Sequence, residues 1–424
     1  MKLLRIDGRK AAAERLAPLT DRRTAAHERV LPRARRIVDA VRRGGDPALL
    51  RLRAKLDGIS SQVPLRIPEV EMQLAWESTP AELREAFKSA ARNIRAFAAR
   101  QRPLDFDLKL APGVVTGQRV LPIRSVGCYI PSGRYPLPST LLMTAIPAQV
   151  AGVERIVAIS PRPAKETLAA AYFLGVTEFY RVGGAHAIAA LAYGTPTIPR
   201  VDKIVGPGNA WVTAAKKLVA FDCAIDMLAG PTEIVVTSES GDPASIASDL
   251  VAQAEHDPDA IAILITTSAA LAKSVLAEVK RRAGGNRIAT EALARNGFAI
   301  IARSVEEARD LTNRIAPEHL TIDDAADLAW VCNAGSIFIG RWSAQPLGDY
   351  VSGPNHTLPT SGLARTRGGL SVLDFVKLVT VQEYTQAGVR QLGPAAIRLA
   401  EAEGLAAHAE SVRARGVKDG VAHD

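Results

Sequence analysis

The strongest constraint on how this chain folds is a repeated alternation of short apolar runs with helix-patterned segments. From Thr140 onward, strand-like runs at 155–160, 178–182, 203–205 and 223–227 are separated by helical spacing at 167–174, 186–192 and 210–220. A second series begins near Glu233, with strand-like runs at 234–238, 261–266, 298–302 and 336–340 separated by helical segments at 243–255, 269–282 and 305–314. Strands this short and apolar, linked through helices, make βαβ units with largely parallel sheets. Two such series predict an α/β chain with two α/β domains in succession. Ahead of them, apolar positions recur at three- and four-residue spacing over residues 20–102, which read as helices, and 113–120 and 123–130 read as extended. From Leu373 the pattern is helical to the end, and the tail 410–424 is charged enough to fray.

Bulk properties exclude several function classes. The chain has 424 residues, enough for more than one core, and its 47% hydrophobic content is ordinary for a globular protein. Aromatic residues make up only 5%, too few for a base-stacking surface. The net charge of +9 owes much to Arg33, Arg35, Arg36, Arg42 and Arg43, which on amphipathic helices form a solvated face, so nucleic acid is not an expected partner. Cys128, Cys223 and Cys332 are far apart, each in an apolar strand-like segment, which predicts buried reduced thiols with neither disulfides nor a Cys-based zinc site. The N-terminus lacks the apolar core of a signal peptide and no run is long enough to span a bilayer, so a cytoplasmic protein without membrane contact is expected.

Several short motifs carry possible chemistry. Ala316-Pro317-Glu318-His319 places a carboxylate beside an imidazole after a helix-stopping Pro; Ala316 is biased toward an extended conformation, and 319–322 reads as the strand that follows. Alone, such a pair is more often a surface Glu and a satisfied His. Gln253 and His256 end a helical run at a spacing that shares one face, and an oxygen with a nitrogen ligand makes half of a zinc site. A helix-terminal His is also an ordinary partner of the helix dipole. The segment 348–356 reads as a polar, Gly-rich loop offering Asp349 and His356. Glu403 and His408 sit in a modestly amphipathic C-terminal helical stretch, where solvated positions are the plain alternative. Val205-Gly206-Pro207-Gly208-Asn209-Ala210-Trp211 joins a strand to a helix in the manner of a dinucleotide fingerprint, except that Trp211 replaces the third Gly. Asp226 follows at the spacing of a ribose-binding acid, and Gly183-Gly184-Ala185-His186 is a similar turn.

Taken together, with Gly127-Cys128-Tyr129-Ile130-Pro131, Leu142-Met143, Ala229-Gly230-Pro231 and Asn355-His356-Thr357-Leu358-Pro359-Thr360, these motifs resemble the histidinol dehydrogenase family over nearly the whole chain. The resemblance implies two incomplete Rossmann-like domains with parallel sheets and small N- and C-terminal helical extensions. Its boundaries fall as an extension at 1–20, a discontinuous catalytic domain at 21–128 and 233–372, an NAD-side domain at 129–232, and a C-terminal arm at 373–424 that is domain-swapped in a homodimer. It implies a zinc-dependent enzyme that oxidises L-histidinol through the aldehyde to L-histidine, reducing two NAD, at the end of histidine biosynthesis. By the same resemblance the zinc ligands are Gln253, His256, Asp349 and His408, the last from the other subunit, so that the active site is shared. Glu318 and His319 become the acid/base pair. Tyr129, His186 and Asn209 become NAD contacts, and Thr232, Glu403, His319 and the zinc-ligand residues substrate contacts. His186 stands where the family commonly has Gln, and Thr232 where it commonly has Ser. His356 is a candidate either for a place behind the zinc ligands or for the substrate side. The chief alternative is a paralogue with the same zinc and NAD machinery acting on another small primary alcohol, such as a sulfonated diol. A basic nucleic-acid-binding protein would leave the ligand set without a purpose.

Overall fold

The computed structural model describes residues 1–6, 17–20, 25–132 and 135–417. The chain opens with strand β1 (Lys2–Arg5) and three helices, α1 (Ala25–Leu56), α2 (Glu69–Glu77) and α3 (Ala81–Gln101). Helix α1 is two helical stretches joined at Gly45, whose φ of 51° breaks the helical path just before Pro47. Strands β2 (Phe106–Ala111) and β3 (Val114–Pro122) follow. The first α/β series comprises β4 (Ser125–Tyr129), α4 (Pro138–Ala151), β5 (Arg155–Ser160), α5 (Lys165–Leu174), β6 (Glu178–Arg181), α6 (Gly184–Tyr193), β7 (Lys203–Val205), α7 (Ala210–Val219) and β8 (Ala224–Ile225). The second comprises β9 (Glu233–Thr237), α8 (Pro243–Ala254), β10 (Ile261–Thr266), α9 (Ala269–Ala283), α10 (Arg287–Asn296), β11 (Gly297–Ile301), α11 (Val305–Ile315), β12 (His319–Ile322) and β13 (Ser336–Ile339). The short helix α12 (Gln345–Tyr350), strand β14 (Val376–Tyr384) and helices α13 (Gln386–Ala402) and α14 (Ala406–Arg413) complete the chain.

Each series forms its own parallel sheet, and the two have the same strand order. The first runs β6-β5-β4-β7-β8 and the second β11-β10-β9-β12-β13, with β1 added beside β11. Third-second-first-fourth-fifth is the dinucleotide-fold order without its sixth strand, so both sheets are incomplete Rossmann-like units, as expected. The strand pleat divides the second core. Ile234 and Val236 of β9 pack with α8, α9 and α10, whereas Val235 packs with Leu311 and Ile315 of α11 on the opposite face. Burial of both faces explains why these strands read as continuous apolar runs rather than alternating ones.

The boundaries differ from those expected. Ala34, Val38, Val41 and Leu49 of α1 share a core with Val157, Ile159 and Ile204, so this helix covers the first sheet and not the second. Strand β4 belongs wholly to the first sheet, which therefore begins at Ser125, and β1 is an edge strand of the second sheet and not a detached extension. By internal contacts the larger compact unit is Met1–Gln101 with Ile123–Phe375, and it holds both parallel sheets. The smaller is Arg102–Pro122 with Val376–Asp424. It contains the antiparallel sheet β14-β3-β2, together with α13 and α14 around Ile397, Ala409 and Val417. The expectation of helix from Leu373 onward fails at β14, where the β-branched run through Val376, Val379, Thr380 and Val381 pairs along the full length of β3. The end of the charged tail, 418–424, lies outside the described residues. Cys128 and Cys223 are buried, but Cys332 is exposed on the loop before β13. Among the described residues no helix is long and apolar enough to cross a membrane.

Candidate active site

The two sheets of the larger unit use opposite edges. Tyr129, the 183–186 turn and the 206–209 turn all leave the carboxyl ends of strands in the first sheet, on the side where open α/β sheets bind ligands. The segment 226–232 then leads to the amino end of β9, and Thr232, Glu233, Glu318 and His319 all cluster at that end of the second sheet.

Helix α11 delivers Glu318 and His319 through a left-handed cap. Ala316 has φ 51° and ψ 65°, and its N–H donates to Thr312 O at 3.0 Å. This corrects the extended conformation expected before Pro317: the helix ends on Ala316 itself, turning the chain sharply into β12. Glu318 is buried, and its Oε2 accepts the Thr232 hydroxyl at 2.7 Å and the Glu233 N–H at 2.8 Å. Burial pushes the Glu318 carboxyl up to about 7, against the opposing influence of the His319 charge and these two donors. The His319 ring, also buried, stacks on Phe338 with centroids 6.0 Å apart. Its Nδ1 lies 3.1 Å from the Glu233 carbonyl, an acceptor only, so Nδ1 carries the hydrogen in the neutral ring. That leaves Nε2 as the basic nitrogen; it is buried without a hydrogen-bond partner, 3.7 Å from Asp349 Oδ1. Burial alone would lower the His319 pKa, but the Glu318 and Asp349 carboxylates outweigh it and raise the pKa above the usual imidazole value.

Three of the four expected zinc ligands belong to this unit. Gln253 is fully buried; its amide N–H donates to the Thr232 hydroxyl oxygen, while its Oε1 is buried with no hydrogen-bond partner. Helix α8 ends at Ala254, so His256 lies beyond the helix and not on its face; it is exposed, and its charge acts on Asp349 and His356. Asp349 is on helix α12, not on a loop as expected. Although burial opposes it, the charges of His319, His356 and His256 hold its carboxyl below the usual carboxylate range. His356 sits 2.8 Å through Nδ1 from the Asp349 carbonyl, and burial lowers its pKa. A cavity of about 350 Å³ opens here, lined by His319, Phe338, Trp342, Leu347, Asp349 and His356. A second, of about 570 Å³, is lined by Phe87, Leu142, His256 and Tyr350 among others. Among the described residues no three His, Cys, Asp or Glu side chains gather as a metal group. Glu403 caps α13 and His408 lies on α14; both belong to the smaller unit and are exposed on it.

Sequence reasoning missed Gln345. Its side chain is buried and donates through Nε2 to Asp349 Oδ2 at 2.8 Å, one helical turn away. The i, i+4 spacing brings the two side chains together only where the segment is helical, and the turn residues around Gly348 conceal that helix. Asp249 is a second omission: burial pushes its carboxyl up to about 6, and it accepts the Gln345 backbone N–H.

The residues expected near a dinucleotide are placed differently from one another. Tyr129 is buried, with its hydroxyl accepting the Gly184 N–H at 3.1 Å. His186 is fully buried and pairs through Nε2 with Asp57 Oδ2 at 3.0 Å, so its hydrogen bond is directed into the protein. Asn209 is exposed and caps α7, accepting from Trp211 N at 3.0 Å and Val212 N at 3.3 Å. Asp226 is not free for a ribose. Its Oδ1 binds Lys216 Nζ at 2.6 Å and its Oδ2 accepts Gly206 N at 2.8 Å, both side chains being almost wholly buried.

The sequence pattern of the histidinol dehydrogenase family matches residues 20–416. The chain belongs to the histidinol dehydrogenase family. A histidinol dehydrogenase of Methanothermobacter thermautotrophicus is 45% identical, with 98% of this chain and 99% of that one covered. Another, from Synechococcus, is 46% identical over 96% of each chain. The crystal structure of histidinol dehydrogenase from Elizabethkingia anophelis is 34% identical and superposes with a TM-score of 0.92 over 98% of both chains. As a member of this family the chain is a dehydrogenase, and the buried Glu318–His319 pair at the start of β12 is its candidate catalytic centre.

Proposed function

We propose that this chain is a zinc- and NAD-dependent histidinol dehydrogenase that oxidises L-histidinol through L-histidinal to L-histidine, with two NAD reduced. The observation that carries the reading is the buried Glu318–His319 pair, one group raised to about 7 and the other with its Nε2 held free. Two consecutive oxidations at one carbon need a base for the hydroxyl proton and an activator for the water that hydrates the aldehyde. His319 Nε2 takes the hydroxyl proton, since Nδ1–H is committed to the Glu233 carbonyl. Glu318, titrating near neutrality, takes the proton of the water, and Thr232 orients its carboxylate.

Zinc suits the donor set. The partnerless Gln253 Oε1, the Asp349 carboxylate and the nearby His256 supply oxygen and nitrogen ligands, and His408 of the partner subunit completes four. NAD suits the carboxyl edge of the first sheet, with Asn209 at the open end of the ten-residue helix α7 and Tyr129 and His186 holding the 183–186 turn from within. When bound, zinc would anchor the imidazole and amino nitrogens of the substrate and NAD would accept the electrons of each oxidation. Glu403, the remaining acidic contact, favours a substrate bearing an amino group over a sulfonated diol. The reading entails a cytoplasmic homodimer with its site shared between subunits. A panel of small primary alcohols, read by NADH absorbance, tests it. Turnover confined to L-histidinol is expected; preference for a sulfonated diol would favour the paralogue.

A further inference from the structure

The turn at 206–209 is held by a pair of buried charges that the chemistry at Glu318 and His319 does not use. Gly206 has φ 108°, and a side chain there would collide with the Tyr129 carbonyl, so the turn passes directly against the end of β4. This is the switch point, where strand order reverses between β4 and β7. Both backbone polar groups of Gly206 are claimed by the ion pair: its N–H donates to Asp226 Oδ2 at 2.8 Å, and its carbonyl accepts from Lys216 Nζ at 2.6 Å. Lys216 also binds Asp226 Oδ1 at 2.6 Å, and that oxygen accepts Met227 N at 2.6 Å. Arg367 donates to the Asp226 carbonyl. The same helix that begins at Asn209 holds the onward segment, since Thr213 Oγ1 donates to Ala229 O at 2.9 Å. Three residues later Thr232 donates to Glu318.

A buried ion pair is a poor device for stability, because desolvating both charges largely cancels their attraction. What it supplies is geometry. We propose that Lys216 and Asp226 are positioning residues that set the 206–209 turn for a dinucleotide and fix it relative to the strand end carrying Thr232 and Glu318. The inference rests on the NAD site of the preceding reading. The pair preorganises the turn, so the binding energy of the dinucleotide is not drawn into ordering backbone.

The test is the double variant Lys216→Met/Asp226→Asn, which removes both charges at similar volume and leaves neither one buried alone. Dissociation constants for NAD are measured by calorimetry on the zinc-loaded full-length protein, zinc affinity by competition with a chromogenic chelator, and KM for each substrate by NADH absorbance. The NAD dissociation constant should rise roughly tenfold or more, the scale of lost charge-assisted hydrogen bonds. KM for NAD should rise with it, while zinc affinity and KM for L-histidinol hold. A folded double variant with parental NAD affinity overturns the inference, as does an equal loss for NAD, zinc and L-histidinol. If the parent itself binds no NAD, the proposed function falls and this inference with it. Should the double variant not fold, Lys216→Arg, which keeps the charge but moves its donors, is judged by the same criterion.

Discussion

Burial pushes the Glu318 carboxyl up to about 7, and its ionised form is among the charges that raise His319 above the usual imidazole value. The two groups therefore exchange influence across 3.7 Å, and removing one charge should be read in the titration of the other. Glu318→Gln takes away a charge that raises His319 while leaving its burial, so the His319 pKa should fall. The acid limb of the pH profile for alcohol oxidation should move to lower pH, and aldehyde oxidation should slow more than alcohol oxidation. An unmoved limb with equal losses in both steps would remove the division of labour. Stability follows the same signs. Glu318 binds a proton more tightly folded than unfolded, so unfolding releases that proton between the usual carboxyl value of 4.5 and about 7, and His319 acts with the same sign above its usual 6.5. The Glu318 stabilisation is present below that window and lost as pH rises through it, amounting to roughly 3 kcal/mol for a shift of this size. Thermal midpoints of metal-free protein should fall with pH across the window, and less steeply in Glu318→Gln.

At the scale of elements, helix α12 determines how Asp349 is presented. Gln345 ties Oδ2 at 2.8 Å, leaving Oδ1 toward His319 Nε2 at 3.7 Å. Outer partners of metal ligands are commonly worth about 10–100-fold in metal affinity. Gln345→Met, similar in length but without a donor, should weaken zinc binding by that order in a chelator competition while the far-ultraviolet circular dichroism stays unchanged. Parental zinc affinity would show Asp349 to be oriented by its backbone alone. This element was also the least legible in the sequence. Gly348 and the run of turn residues after Tyr350 read as loop chemistry, and a helix of one and a half turns leaves no periodicity to detect. Strand β14 was overlooked for a different reason: its β-branched residues Val376, Val379, Thr380 and Val381 are a local strand signal, outweighed by the long helical pattern that begins at Gln386. By contrast β5, β7 and β10 were legible to the residue, because strands buried on both faces show as uninterrupted apolar runs between caps.

For the whole molecule, parallel sheets built from two alternating series could be anticipated, but neither their strand order nor the covering of the sheets could. Helix α1 carries no mark in its sequence of which sheet it packs on, and Ala34, Val38 and Leu49 would suit either. The site was legible in the same uneven way. Glu318 and His319 are ambiguous alone and gain meaning only beside the other motifs, whereas Asp226 matched a ribose-binding spacing and proved to be one half of a buried ion pair. The proposed sharing of the site in a homodimer makes its own prediction. His319→Ala and His408→Ala should each be inactive, yet co-expressed chains should regain activity approaching roughly a quarter of the parental value. That fraction follows because half of randomly assembled two-fold dimers are mixed and each mixed dimer has one intact site of two. No recovery in mixed dimers would place His408 in its own subunit's site or in none.

The most direct measurement is the stoichiometry of NADH formed per L-histidinol consumed, with excess NAD and zinc-loaded protein. Two equivalents, with L-histidine as the product, are what a pair of catalytic groups acting twice at one carbon predicts. One equivalent with the aldehyde accumulating, or no NADH at all, would contradict it.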